Sequence, residues 1–147
     1  MKKPSKKIKI TVKKPESLTV SGKRKTAIAK ATINAGTGII KLNKKPIELY
    51  PYFQKLTLLE PIRIAQDILK ALPYDIAVIA RGGGVEAQAE AARLAIAKAL
   101  VTFTKSAELK SAYLAYDRNM LVADVRRKEA YKPGDSRARA ARQKSYR

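Results

Sequence analysis

Three stretches of this 147-residue chain bring together side chains able to bind an anion. In the first, Arg81-Gly82-Gly83-Gly84, three glycines follow an apolar run and precede an alanine-rich helical repeat. Free amides and a helix dipole at such a junction favour a phosphate. No Gly-Lys-Ser/Thr follows, so this is not a P-loop, and the glycine spacing does not fit a dinucleotide fingerprint. The competing reading is a tight connection where strand and helix backbones meet closely. The second, Gly22-Lys23-Arg24-Lys25-Thr26, is a compact cationic turn between two strand patterns, either a phosphate clamp or a solvated hairpin corner. The third runs from Arg126 to Arg147 and interleaves Arg126, Arg127, Lys128, Lys132, Arg137, Arg139, Arg142, Lys144 and Arg147 with Tyr131 and Tyr146. Guanidinium groups make bidentate phosphate contacts, and tyrosine rings stack on unpaired bases.

Other chemistry is largely excluded by composition. The chain has no Cys, no His and no Trp, which removes disulfides, Cys/His zinc sites, thiol nucleophiles and any Ser-His-Asp arrangement. The helical pair Glu86/Glu90 with Arg93 nearby reads as a salt-bridged surface. Asp117 beside Arg118, and Asp124 near Arg126–Lys128, read as local charge pairing. None of these carboxylates has an acid/base partner, so no catalytic site, metal site or cofactor is expected.

The net charge of +20 is concentrated at the two ends. Residues 1–45 carry 14 basic side chains against one acid, residues 46–125 nine of each, and residues 126–147 nine against two. A neutral middle suits a buried core, whereas like charge gathered at both ends repels itself until a polyanion neutralises it. Nucleic acid is the favoured polyanion, since each neutralised phosphate releases a counterion. The basic segments lack the wide apolar face that lets a helix settle into lipid, no apolar run approaches a membrane span, and no signal-peptide core follows Met1–Lys7. A soluble, cytoplasmic protein is the expectation.

The elements that must position these residues follow from periodicity. Met1–Pro15 is a Lys-rich extension in which Ile8, Ile10 and Val12 alternate with polar residues and could pair at a sheet edge. Leu18–Ser21 and Thr26–Ala35 alternate as strands. Ala35-Gly36-Thr37-Gly38 reads as a hairpin turn, with Ile39–Leu42 as the returning strand. Asn43–Pro46 is a further turn and Ile47–Leu49 a short edge strand. A helix is expected to open at Glu60-Pro61, because Pro61 suits a first helical position and would lose a backbone bond deeper inside. A capping box at Thr57-x-x-Glu60 is the alternative start. Ala65, Ile68, Leu69 and Leu72 give this helix its apolar face, and Pro73 ends it. Tyr74–Ala80, apolar on both faces, suits a central strand covered by helices on at least one side. Val85–Phe103 is a long helix whose alanines permit close packing on a sheet, and Ala107–Tyr116 a shorter one. From Asp124 onward almost nothing is available to bury.

Gly22-Lys-Arg-Lys-Thr-Ala-Ile-Ala-Lys-Ala-Thr-Ile33 followed by Gly36-x-Gly38 resembles the opening signature of the family of the ninth small-subunit ribosomal protein. Gly82-Gly-Gly-x-x-x-Gln88 is similar to its central signature. Leu121-Val-Ala-Asp-Val-Arg-Arg-Lys-Glu129 and Ala138-Arg-Ala-Ala-Arg-Gln-Lys-Ser-Tyr-Arg147 resemble its closing one, in the form of the archaeal and eukaryotic branch. The likeness covers residues 18–147, four motifs in order, and departs from the family at Tyr131-Lys132 and Pro133-Gly134-Asp135-Ser136. It implies an α+β fold, a two-layer α/β sandwich like the second domain of the fifth small-subunit protein, with a left-handed βαβ crossover against the usual right-handed rule. It also implies a place in the small-subunit head, a tail threading between RNA helices, and a terminal basic residue, by position Arg147, on the transfer RNA backbone at the peptidyl site.

The expected organisation is therefore a basic extension over residues 1–16, a globular RNA-binding domain over 17–125 and an extended basic, RNA-penetrating tail over 126–147. Ribosomal RNA contacts are expected at Lys23, Arg24, Lys25, Arg81, Gly82, Gly83, Gly84, Arg126, Arg127, Lys128, Lys132, Arg137, Arg139 and Arg142. Transfer RNA contacts are expected at Lys144, Ser145, Tyr146 and Arg147. The expected partners are small-subunit ribosomal RNA, peptidyl-site transfer RNA and neighbouring head proteins, with no membrane and no small-molecule substrate. The function expected is that of a structural ribosomal protein, not an enzyme. A free nucleic-acid-coating protein is the rival that explains the charge equally well, and a nucleotide-processing enzyme at Gly82–Gly84 is a weaker third.

Overall fold

The computed structural model describes residues 17–131 and Ala138. Strict alternation builds the first hairpin: β1 (Leu18–Arg24) and β2 (Ala27–Ala35) pair antiparallel from Leu18↔Ile33 to Arg24↔Ala27. β1 is thus longer than the expected Leu18–Ser21, and the expected five-residue cationic turn shrinks to Lys25-Thr26. Gly22, Lys23 and Arg24 belong to the strand, and Lys25 takes the positive φ the tight turn requires.

The chain does not return beside β2. After Gly36–Gly38 it enters β3 (Ile40–Leu42), which pairs with β5 (Tyr74–Arg81), in parallel, while β5 pairs antiparallel with β2. The expected hairpin at Ala35–Gly38 is therefore a crossover loop, and β5 lies between β2 and β3 at the centre of a five-stranded sheet. Asp75 holds the loop: its Oδ1 accepts N–H bonds from Thr37, Gly38 and Ile39 at 2.8, 2.9 and 2.9 Å. These amides, the Ile39 N–H foremost, lower the Asp75 pKa. Asn43 and Lys44, both at positive φ, turn the chain into the short edge strand β4 (Lys45–Pro46). Ile47–Leu49 is a 3₁₀ turn and not the expected strand, with Ile47 buried beneath it.

The first helix, α1, runs Tyr52–Leu69 with Pro61 inside it, not from Glu60. An interior proline costs about 3 kcal/mol, but the upstream turns bury Leu58 fully and Gln54 almost so, and Pro61 and Ile62 continue that face. Burying Leu58 and Ile62 contributes roughly 3–6 kcal/mol, which offsets the proline. The Pro61 carbonyl also accepts a 2.6 Å bond from the buried Tyr113 hydroxyl. The capping-box side chains serve elsewhere: Thr57 Oγ1 donates to the Phe53 carbonyl, and Glu60 pairs with Arg93 at 2.6 Å.

Two further helices complete the fold as expected, α2 (Val85–Thr104) and α3 (Ala107–Tyr116). Ser106 caps α3 by accepting from the Leu109 N–H. The result is a two-layer α+β sandwich with α2 laid against β1, β2 and β5, and α1 and α3 packed beside it. The core lies between, formed by Ala27, Ala29, Ala31, Ile33, Ile76, Val78 and Ala80 from the sheet and by the alanines, Ile96 and Leu100 of α2. Small residues allow this approach. A Cβ on Gly22 would lie 2.8 Å from the Ala95 amide nitrogen and closer still to the Ala91 carbonyl oxygen.

Candidate nucleic-acid interface

The β1–β2 turn, the glycine loop and the start of the C-terminal segment come together at one end of the sheet. Gly82 and Gly83 hold φ of +76° and +66°, and added side chains there would meet the Thr26 carbonyl at 2.8 Å and the Ala27 amide nitrogen at 3.1 Å. These two glycines are thus needed for close backbone packing, which is the competing reading of the motif. Gly84 is different. Its φ is ordinary and no atom lies within 4 Å of an added Cβ, so its bareness leaves the N-terminus of α2 open. Gln88 Nε2 braces the loop by donating to the Gly82 carbonyl at 3.2 Å. Glu86, in the first turn of α2, accepts from Gln54 Nε2 at 3.1 Å.

A cleft beside the turn is lined by Arg24, Lys25, Thr26, Arg126, Arg127 and Lys128, five cations and no acid. Their states differ. The Arg24 guanidinium is gripped by Glu90 through Nε and by Asp124 through Nη1, and the Glu90 bond foremost raises its pKa further. Asp124 also accepts from the Arg126 backbone N–H at 2.8 Å and from Arg126 Nη2 at 2.6 Å. The bonds from Arg126 hold the Asp124 carboxyl well below the usual carboxylate range. Among the described residues Lys25, Arg127 and Lys128 form no carboxylate ion pair, and Lys128 Nζ lies 4.4 Å from the centre of the Tyr131 ring. Asp124 thus pairs locally as expected, while Asp117 pairs with Arg93 at 3.0 Å and not with Arg118. The expected Glu86/Glu90/Arg93 surface network is likewise replaced, since each of the three bonds to another element.

The structure brings together Lys23, Arg24, Lys25, Arg81, Gly82–Gly84 and Arg126–Lys128 at this end. The expected contacts at Lys132, Arg137, Arg139, Arg142, Lys144, Ser145, Tyr146 and Arg147, and the strand expected near Ile8–Val12, lie outside the described residues. Sequence reasoning missed Lys30 and Lys41, which project from the sheet on the same face as Arg81. The signal was present in the Ala27–Ala35 alternation, which sets Ile28 and Lys30 together on its polar side.

Comparison with known proteins decides what bears this arrangement. The family model for ribosomal protein S9/S16 matches residues 22–147. The chain belongs to that family. Among its relatives, the small ribosomal subunit protein uS9 of Methanococcus vannielii is 50% identical over 129 residues, 86% of this chain and 95% of that protein. The uS9 of Thermoplasma volcanium is 48% identical over 128 residues, and that of Thermoplasma acidophilum 47% identical over 131, covering 86% and 88% of this chain and 96% and 100% of theirs. The S9 match begins at Gly22, so all the cations gathered at this end of the sheet fall within it. Among the described residues no helix is long and apolar enough to cross a membrane.

Proposed function

We propose that this protein is a structural constituent of the small ribosomal subunit head, held there by phosphate neutralisation. Lys23, Lys25, Arg81, Arg127 and Lys128 contact ribosomal RNA directly, with the open amides at Gly84 beside them. Arg24 and Arg126 act mainly by holding the start of the tail against the body, since their guanidinium groups already bind carboxylates. Lys132, Arg137, Arg139 and Arg142 continue the contact along a tail over residues 126–147. Lys144, Ser145, Tyr146 and Arg147 reach the backbone of peptidyl-site transfer RNA. A backbone contact of this kind is independent of anticodon sequence.

Membership of the S9 family supports the ribosomal part of this reading. The observation that carries the RNA part is the acid-free cleft between Lys25 and Arg126–Lys128, which joins the body to the tail. A free coating protein would need the same charge, but not the family's ordered motifs. The test is deletion of Arg147. Subunits should assemble normally and hold peptidyl-site transfer RNA about tenfold more weakly, as loss of one charge-assisted contact implies. Unchanged transfer RNA affinity in fully assembled subunits would remove the assignment of Arg147.

A further inference from the structure

Among the described residues the helices cover one face of the sheet only. On the other, the strand register places Lys23, Ile28 and Arg81 in a single row across β1, β2 and β5, with Lys30 and Ile79 paired in the next row and Lys41 beside Ala77 in β3 beyond. Ile28 and Ile79 are 45% and 54% exposed, and they lie diagonally between Lys30 and Arg81. Among the described residues none of the four cations forms a carboxylate ion pair. The carboxylate on this face, Asp75, sits at the opposite end of β5, where the Thr37–Ile39 amides occupy it.

This pattern narrows the choice of occupant. A face with four unpaired cations, whose carboxylate is already held by backbone amides at the far end of β5, complements an anion. Residues 1–16 of the chain, with seven lysines and one glutamate, carry the wrong sign to cover it. Two isoleucines amid cations gain nothing from a regular duplex, whose base faces are hidden in the stack. They gain from unpaired bases, which present flat apolar faces. Lys23 and Arg81, two strand spacings apart, stand about 10 Å from each other in the sheet, so the cations flank the isoleucines and do not cover them.

We propose that this uncovered face extends the RNA interface and takes an unpaired RNA segment, its phosphates on Lys23, Lys30, Lys41 and Arg81 and its bases on Ile28 and Ile79. The inference rests on the ribosomal RNA reading above and carries that interface, through the shared Lys23 and Arg81, from the glycine loop onto the sheet face.

The test uses the full chain with a fluorescent single-stranded oligouridine of about 12 nucleotides and an RNA duplex of equal length. The variants are Ile28→Thr/Ile79→Thr, which keeps strand preference, and Lys30→Gln/Lys41→Gln. All four side chains are solvent-facing, and melting curves confirm that the variants fold. The isoleucine pair should lose roughly tenfold in single-strand affinity with its salt dependence and duplex affinity unchanged. The lysine pair should lower the slope of log affinity against log salt by about 1.4. Single-strand affinities within twofold of the parent for both variants would overturn the proposal. So would normal RNA binding combined with failure to enter reconstituted subunits, which would make the face a protein interface. A parent chain that binds neither RNA would overturn the broader RNA reading as well.

Discussion

Arg24 looks like a phosphate ligand in the sequence, flanked by Lys23 and Lys25, yet in the fold Glu90 and Asp124 share its guanidinium. Both partners are distant in sequence, so nothing in the local pattern could reveal the pairing. Asp124 gives the network its pH dependence. Its folded pKa lies below the unfolded value of 3.8, so its stabilising contribution is fully present above that value and is lost progressively as pH falls below it towards and through the folded pKa. Urea unfolding at about pH 6 and about pH 3 should therefore show a smaller loss of stability on acidification for Asp124→Asn than for the parent chain. An equal loss would mean that the carboxylate contributes nothing. Tyr113 offers a second test. Removing its hydroxyl takes away the second donor to the Pro61 carbonyl, which also accepts within the helix, so Tyr113→Phe should cost about 0.5–1.5 kcal/mol in urea denaturation.

Elements with strong local periodicity were legible before any coordinates. Periodicity alone gives the bounds of α3, those of α2 to within one residue, and the central strand β5. The start of α1 was not legible, because the local cost of Pro61 is visible in sequence while the burial of Leu58 and Ile62 that offsets it depends on distant elements. The Ala35–Gly38 loop misled for a related reason. Glycines mark a turn, but only the tertiary fold shows that β5 inserts between the two strands the loop connects. The close packing of β1 on α2 was implied by the alanines of α2 and leads to a sharp contrast. Gly22→Ala should destabilise by about 1–3 kcal/mol through overpacking, whereas Gly84→Ala, with open space around it, should cost under about 1 kcal/mol. Thermal melts of the two variants decide this, and equal melting temperatures would contradict the packing described here.

For the molecule as a whole, the useful signal in the sequence is the uneven placement of charge, and among the described residues the fold brings Lys25 and Arg126–Lys128 from its two basic ends to one end of the sheet. The tail cations and the turn cations, about a hundred residues apart, line one cleft. The alternation sets Lys30 with Ile28, but an isolated lysine in a strand carries no motif, and only the sheet register places Lys30 and Lys41 on the face that carries Arg81. Replacing Lys25, Arg127 and Lys128 together by Gln should reduce the salt slope of RNA binding by about 2–3, and an unchanged slope would remove this cleft from the interface. The central claim, residence in the small ribosomal subunit, is tested most directly by sucrose-gradient fractionation of native lysate before and after a high-salt wash, following the protein by antibody. Exposed phosphate contacts weaken steeply with salt, but a protein threaded through folded RNA stays bound. Co-sedimentation with the small subunit through the wash is the predicted result, and release into free or DNA-bound fractions would contradict it.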